Sequence, residues 1–383
     1  MMRPRRRHGR LAILALIAAS ACGGTAPLSN PGEGSGSPSP AGDAAAGAES
    51  DLGLGLAVVD VNGLVHAEAS GLRRMGSPEQ VTVDDQWHLG SDTKAMTATL
   101  AAILVEEGLL AWDSSPADVL GLDPQTVDPA LAGITLEQLL THTSGITPDL
   151  PVTHPAVWSR MQAETDAEVV QTRRWVASQL LAGPASYPPG TDYGYSNGGY
   201  VIAGAMLEQV TGTSWEELMQ ERLFGPLDMT CGFGPPEGDA PLGHLSVGAT
   251  LVPVSPGPGS DNPVSIGPAG TVRCDLASWA QFVALHLRGT TGDTALLPQD
   301  AFVRLHTPTA ANPEYAYGWG VRTNGSSPDW ADGRLLLHAG SNGRWYALAW
   351  LALDKGRAYL ATTNVGDPAG LEEALMELVE EDS

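Results

Sequence analysis

The hydrophobic pattern predicts β-strands towards both ends of the chain. Residues 52–60 and 64–71 have strand character, and Val61-Asn62-Gly63 between them is typical of a tight hairpin turn. Strand character returns after residue 330, and a helix follows it; these segments are residues 334–338, 344–353, 357–363 and 370–379. We therefore expect one sheet built from both ends of the chain.

The middle of the chain is predicted to be helical. Residues 91–107 are apolar on nearly every helical face and end at Gly108, which predicts a buried helix. Further helical stretches, joined by loops rich in proline and glycine, are residues 136–141, 167–182, 200–211 and 214–223. The pattern indicates an α/β (α+β) fold in which a mainly α-helical subdomain is inserted between the strands.

The amino terminus has the features of an export signal. Five arginines precede an apolar run at residues 11–18, which is too short to cross a membrane, and Ala19-Ser20-Ala21 and Cys22 follow. Cleavage after Ala21 fits an ordinary signal peptide or a bacterial lipoprotein signal, which the segment resembles although Ala19 replaces the usual leucine. We expect an exported protein of the bacterial cell envelope or periplasm, attached to the membrane by a lipid on Cys22, or else a secreted one.

Three segments follow from this organisation. Residues 1–21 form the predicted signal, and residues 22–50, rich in glycine, serine, proline and alanine, form a predicted flexible tether. Residues 51–383 form one predicted catalytic domain, whose 43% hydrophobic and 17% charged content is typical of a globular enzyme.

Charge and cysteine content exclude some functions. Loss of the signal changes the formal net charge from −24 to −29, so nucleic acid is a poor partner. No CxxC or HExxH spacing occurs, and we expect neither a metal nor another cofactor. In an oxidising compartment Cys231 and Cys274 form either a disulfide or two buried thiols.

The chain has eighteen arginines and only two lysines, and one lysine lies in Ser91-Asp92-Thr93-Lys94. An amine can lose its proton at moderate pH, whereas a guanidinium cannot. Ser91 at a helix start and Lys94 one turn later lie on one face of the helix. Burial in an apolar helix is expected to lower the pKa of Lys94, which makes it a candidate base beside a candidate nucleophile.

Two later motifs add candidate groups. Tyr195 and Asn197 form YxN in a loop that leads into a helix; a phenol between cationic or hydrogen-bonding groups is expected to have a lowered pKa. His338-Ala339-Gly340 lies at the end of a predicted strand. Backbone N–H groups of Ser91 and Ser341 can form an oxyanion hole there, with Gly340 leaving room for a substrate.

SxxK, YxN and HxG in this order resemble the serine hydrolase family of class C β-lactamases, D-alanyl-D-alanine carboxypeptidases and related esterases. The resemblance spans residues 52–379 and implies a β-lactamase/transpeptidase-like fold, with an antiparallel sheet flanked by helices. It implies Ser91 as acylated nucleophile, Lys94 as its proton partner and Tyr195 as general base and acid. It further implies that Asn197 contacts substrate and Lys94, and that His338, Gly340 and Ser341 line the substrate site, while His142 holds a loop.

The third motif departs from the KTG usual in β-lactamases, whose lysine helps to hold a substrate carboxylate. Efficient β-lactam hydrolysis is therefore in doubt, although Arg322, Arg334 or Arg344 could replace the missing charge. The substrate stays open between a small-molecule ester, a β-lactam and a peptidoglycan peptide. The alternative function is a penicillin-binding sensor or binding lipoprotein that acylates without appreciable turnover.

Overall fold

The computed structural model describes residues 52–383 except 249, 258, 324 and 367–369. Its largest sheet has six antiparallel strands in the order β2-β1-β11-β10-β9-β8. These strands are β1 (Leu54–Asp60), β2 (Gly63–Ser70), β8 (Gly320–Arg322), β9 (Leu335–Ser341), β10 (Tyr346–Ala352) and β11 (Arg357–Thr363). The pairing of β1 with β11 joins strands from the two ends of the described chain in one sheet, as the sequence predicts.

Two smaller sheets complete the described strands. The first has the order β3-β7-β4, with β3 (Trp87–His88), β4 (Gly232–Phe233) and β7 (Val272–Cys274). The second is a hairpin of β5 (His244–Val247) and β6 (Thr250–Pro253). The three-stranded sheet matters for the site because β3 leads directly into the turn that carries Ser91.

Most described α-helices lie between the two groups of strands that form the large sheet. They are α1 (Thr93–Glu106), α2 (Pro116–Val119), α3 (Leu136–Leu140), α4 (Leu150–Thr153), α5 (Pro155–Gln162), α6 (Val169–Ala182), α7 (Asn197–Thr211), α8 (Trp215–Met219), α9 (Gly267–Gly270), α10 (Leu276–Gly289), α11 (Gln299–Leu305) and α12 (Leu371–Glu381). A π-helix, Gln220–Phe224, continues α8. Short 3-10 helices are Gly90–Asp92, Pro124–Thr126, Asp166–Glu168, Gly225–Leu227, Val264–Ile266 and Asp329–Ala331.

Both faces of the large sheet are buried. Alternate residues of its strands, such as Leu56, Leu348 and Ala361, pack with α12 in one hydrophobic core. The intervening residues, such as Ala57 and Ala349, belong to the larger core that also contains α1 and the helical region. Strands β1, β9, β10 and β11 therefore contribute to both layers, as expected when helices cover a sheet on both sides.

The structure confirms the predicted α/β (α+β) architecture and its main elements, with boundaries shifted by a few residues. The predicted signal 1–21, the tether 22–50 and Cys22 lie outside the described residues, as does residue 51 at the start of the predicted domain. Among the described helices, none has the length and apolar character needed to cross a membrane.

Candidate active site

A sharp turn between β3 and α1 presents Ser91. Gly90 has a φ of +51°, which favours glycine, and a Cβ at this position would overlap the backbone nitrogen of Ser341. The turn therefore packs directly against the end of β9. Ser91 follows at the start of the helical segment, where backbone N–H groups favour negative charge.

Lys94 lies one turn further, completely buried. Its Nζ is 3.0 Å from Ser91 Oγ and donates to the carbonyl of Ala269 in α9 at 2.6 Å. Burial lowers the pKa of Lys94 well below its ordinary value, while the charge of Asp92 opposes this shift. The uncharged amine is thus favoured next to the hydroxyl, as the sequence predicts.

Asp92 is a second buried ionisable group beside Ser91. Its side chain is 2% exposed, and its two carboxyl oxygens have no hydrogen-bond partner among the described residues. Burial raises the pKa of Asp92 well above its ordinary value, against the opposing charge of Lys94. The two shifts together favour an uncharged pair, because an isolated buried charge is costly.

Tyr195 comes from the loop before α7 and closes over Lys94. Lys94 Nζ lies 4.7 Å from the centre of the Tyr195 ring, which packs at a tilt of 40° against the ring of His142, with the ring centroids 4.3 Å apart. His142 Nδ1 accepts from the backbone N–H of Ser196 at 3.0 Å. His142 therefore holds the Tyr195 loop, in keeping with the structural role that the resemblance implies.

The predicted lowering of the Tyr195 pKa is wrong. Burial raises the pKa of its phenol, and the interaction with the Ser91 hydroxyl opposes that rise only in part. The prediction fails because Lys94, buried and uncharged, supplies no cation to stabilise a phenolate. The phenol is therefore protonated in the resting site.

Asn197 begins α7 but does not hydrogen-bond to Lys94 in the described part of the chain, where the Lys94 amine contacts Ser91 and Ala269 instead. A hydrogen bond between these two side chains is thus absent among the described residues, and the role of Asn197 stays a prediction. Asn197 is half-buried and follows Tyr195 by two residues in the chain.

The end of β9 forms the wall opposite the Ser91 turn. A Cβ on Gly340 would overlap the carbonyl of Leu89 and lie 2.8 Å from the nitrogen of Ser91. Strand β8 pairs with β9 only from Leu335 to Leu337, and among the described residues no strand pairs with this edge of β9 beyond Leu337. The backbone nitrogens of Ser91 and Ser341 therefore each lie against the glycine of the opposite wall.

His338, also in β9, is completely buried, and its side chain lies on the same face of the strand as Gly340. Its Nε2 lies 3.5 Å from the Tyr315 hydroxyl. Burial, and to a smaller extent the charge of Lys94, lowers the pKa of His338 to about 3. His338 is therefore neutral at ordinary pH and does not replace the positive charge of a lysine.

The three candidate arginines have other partners. Arg334 pairs with Asp354, and Arg322 lies 4.0 Å from Glu314. Arg344, in the turn after β9, donates to the carbonyls of Asn342 and Gly259 at 3.1 and 2.7 Å. These contacts hold the three guanidinium groups in ion pairs or against the backbone.

Cys231 and Cys274 form a disulfide in the structure. Cys274 ends β7 and is the register partner of Trp87 in β3, while Cys231 immediately precedes β4. The bond therefore braces the small sheet that positions the Ser91 turn.

Sequence reasoning missed two groups that contact the site. The Ala269 carbonyl was not predicted because a backbone acceptor leaves no side-chain signature. Asp261 was not predicted either: it lies in a loop, yet it bonds to His88 at 2.9 Å across a separation of 173 residues. The same loop lines a cavity of about 750 Å³ with Glu164, Glu216 and Phe233.

Comparisons with known proteins match most of the chain. The family model described as Beta-lactamase matches residues 43–381. Penicillin-binding protein 4 of Amycolatopsis lactamdurans is 30% identical over 324 residues, which cover 80% of each chain.

Two further similarities are informative. Lovastatin esterase of Penicillium rubens is 31% identical over 184 residues, which cover 43% of this chain and 44% of that protein. The octameric penicillin-binding protein homologue of Pyrococcus abyssi has the same fold, with a TM-score of 0.69 at 22% identity, over 87% of this chain and 75% of that one.

Proposed function

Because this chain belongs to the beta-lactamase family and is a serine hydrolase, we propose that Ser91 forms an acyl-enzyme and that esters are the preferred substrates. The observation that carries the reaction type is the 3.0 Å approach of Lys94 Nζ to Ser91 Oγ in a buried setting that favours the free amine. A free amine at this distance can accept the hydroxyl proton as Ser91 attacks a carbonyl carbon.

The first half of the reaction uses the two walls of the site. Ser91 Oγ forms a bond to the substrate carbonyl carbon while its proton moves to Lys94 Nζ. The carbonyl oxygen becomes an oxyanion, which the N–H groups of Ser91 and Ser341 bind. Each such donor typically contributes about 3 kcal/mol to transition-state stabilisation.

Tyr195 supplies the proton for the leaving group. When the tetrahedral intermediate collapses, the bond to the leaving alkoxide breaks and the phenol protonates that oxygen. The ammonium of Lys94 then returns a proton to the Tyr195 phenolate, which restores both groups. In the second half a water molecule attacks the carbonyl carbon of the Ser91 ester and gives one proton to Lys94 Nζ. The bond between the acyl carbon and Ser91 Oγ then breaks, Oγ takes up that proton, and the acid is released.

The preference for esters rests on the charge of the third motif. A D-Ala-D-Ala peptide or a β-lactam carries a carboxylate near the scissile bond, and His338 is neutral at the position where a lysine would hold it. Arg322 and Arg334 pair with acidic groups, and Arg344 already donates to two carbonyls. The similarity to a protein named lovastatin esterase supports the same choice.

A parallel turnover assay tests the proposal. The substrates are a short-chain p-nitrophenyl ester, a chromogenic cephalosporin and a D-Ala-D-Ala peptide, with Ser91→Ala as control and intact-mass spectrometry to detect the acyl-enzyme. We expect ester turnover and a Ser91-dependent adduct. Undiminished ester hydrolysis by Ser91→Ala would exclude Ser91 as the nucleophile. Turnover of the peptide alone would exclude the preference for esters. An adduct that never turns over would identify a binding protein.

We also propose export to the cell envelope with a lipid on Cys22. The signal-like residues 1–21 and the Cys231–Cys274 disulfide support an oxidising compartment outside the cytoplasm. Expression of the full chain in a bacterial host with a labelled fatty acid, followed by membrane fractionation, tests this. Label on the wild type but not on Cys22→Ala supports the anchor; an unlabelled, secreted wild type excludes it.

A further inference from the structure

A buried carboxylate outside the Ser91, Lys94 and Tyr195 group joins the two walls of the site. Asp261 Oδ2 lies 2.9 Å from His88 Nε2, and Asp261 Oδ1 accepts from Asn342 Nδ2 at 2.7 Å. The side chains of His88 and Asp261 are 0% and 6% exposed. One carboxylate thus bonds to β3 on one side and to the turn after β9 on the other.

The hydrogen bonds define what His88 can do. Its Nδ1 accepts from the backbone N–H of Gly90 at 3.1 Å, so the ring carries its proton on Nε2, which donates to Asp261. The ring also stacks on Trp345, with centroids 5.6 Å apart. Because both ring nitrogens are engaged away from Ser91 Oγ, His88 is a positioning residue and not a base.

The two ends of this network adjoin the proposed oxyanion hole. Gly90, whose N–H bonds to His88, immediately precedes Ser91, and Asn342 immediately follows Ser341. The turn at Gly90 and the end of β9 are in direct contact. Movement of either wall would therefore change the separation and direction of the two N–H groups that receive the oxyanion.

We propose that His88, Asp261 and Asn342 form a positioning network that holds the N–H groups of Ser91 and Ser341 in register for the oxyanion. This inference rests on the proposed function. The network acts on the tetrahedral intermediates of acylation and deacylation, which use the same two donors, and leaves the binding of uncharged substrate nearly unchanged.

The loop that supplies Asp261 is fixed by further bonds. Asn262 Nδ2 donates to the carbonyl of Gly270 at 3.3 Å, and Arg344 donates to the carbonyl of Gly259. Loss of a single Asp261 bond should therefore leave the loop in place and disturb mainly the two walls. A variant that loses one Asp261 bond can therefore distinguish a role in positioning the two walls from a role in anchoring the loop.

The test compares three substitutions in full-length protein. Asp261→Asn replaces one carboxylate acceptor with a donor, so it cannot accept from both His88 and Asn342. His88→Gln keeps a donor able to reach Asp261 but loses the acceptor for the Gly90 N–H. Asn342→Ser, at a half-buried position, removes the donor to Asp261 and also the side-chain acceptor for the N–H groups of Arg344 and Trp345.

Asp85→Asn is the matched control. Asp85 is also buried and accepts from Arg73 at 2.9 Å and from the Thr82 N–H at 2.8 Å, in contacts that do not include the proposed hole. We expect this variant to lose thermal stability and to keep its kcat.

For the three network variants we expect kcat to fall about 10- to 100-fold with KM within twofold, since small misplacements of catalytic groups have effects of this size. Acylation and deacylation rates, measured in single turnovers, should fall by similar factors. The affinity for a boronic acid that forms a tetrahedral adduct on Ser91 should weaken in parallel.

Variants that are less stable but have wild-type single-turnover rates would overturn the network and leave a loop anchor in its place. A wild type that forms no adduct on Ser91 would overturn the proposed function itself. Wild-type turnover together with unchanged Asp261→Asn and Asn342→Ser would overturn the inference alone.

Discussion

A pair of buried histidines should make the fold sensitive to mild acid. His286 Nδ1 accepts from His306 Nε2 at 2.8 Å, and His286 Nε2 lies 3.3 Å from the hydroxyl of Thr99, which donates to the carbonyl of Ala95. These bonds form when both rings are neutral. Protonation of His286 on Nδ1 would break the bond between the rings, and protonation of either ring would bury a charge.

The size of the effect follows from His306. Burial, and secondarily the charge of Arg334, lowers the pKa of His306 from 6.5 to about 3. The unfolded chain then binds more protons than the folded chain between these values, so stability is complete above pH 6.5 and declines as the pH falls towards 3. At pH 5 the loss from this group alone is about 2 kcal/mol.

Replacement of His306 with glutamine tests this reasoning. The introduced amide would still be able to donate to His286 but would not titrate. We expect the unfolding free energy from urea titrations to fall between pH 7.5 and pH 5 by about 2 kcal/mol less in His306→Gln than in wild type. His66→Gln, at a side chain that is 58% exposed, should keep the wild-type pH dependence. Equal pH dependence in wild type and His306→Gln would refute the argument.

Three other outcomes are expected. Lys94→Arg keeps a permanent charge at this position and should lower kcat about 1000-fold. The lowered pKa of Lys94 should keep wild-type kcat/KM high at pH values well below the ordinary lysine pKa. A pH–rate profile and intact-mass measurement of Ser91 acylation check both expectations, and a wild-type profile that rises only near pH 10 would contradict them. Asp92→Asn replaces a protonated acid with a neutral group of similar shape, so kcat at pH 7 should stay within about threefold; a loss of more than 100-fold in steady-state assays would indicate an ionised Asp92. Removing the disulfide by Cys231→Ser with Cys274→Ser should lower the unfolding free energy by about 4 kcal/mol, because the bond joins residues separated by 43 positions; matching urea midpoints for the two proteins would contradict this.

Long, regular segments were predictable from the sequence, whereas short ones were not. The hairpin of β1 and β2, helix α1 and strands β9 to β11 have lengths over which hydrophobic periodicity is clear. Strands of two or three residues, such as β3 and β7, have no periodicity, so the small sheet below the nucleophile was missed.

Local spacing predicted the relation of Ser91 to Lys94 because one helical turn joins them. The Tyr195 pKa direction was wrong because it depends on whether a distant lysine is charged, which burial decides. The bond between His88 and Asp261 joins two polar residues far apart in the sequence, and neither has a neighbouring residue pattern that indicates the other.

The long stretch of sequence between the Ser91 turn and the end of β9 has a consequence for biosynthesis. A ribosome completes the Ser91 turn long before it completes the end of β9, which supplies the second proposed oxyanion donor. Native contacts of such long sequence separation form slowly and only once the last strands have emerged. A nascent or prematurely terminated polypeptide would therefore carry the nucleophile without the means to use it, and hydrolytic activity arises only in the finished molecule.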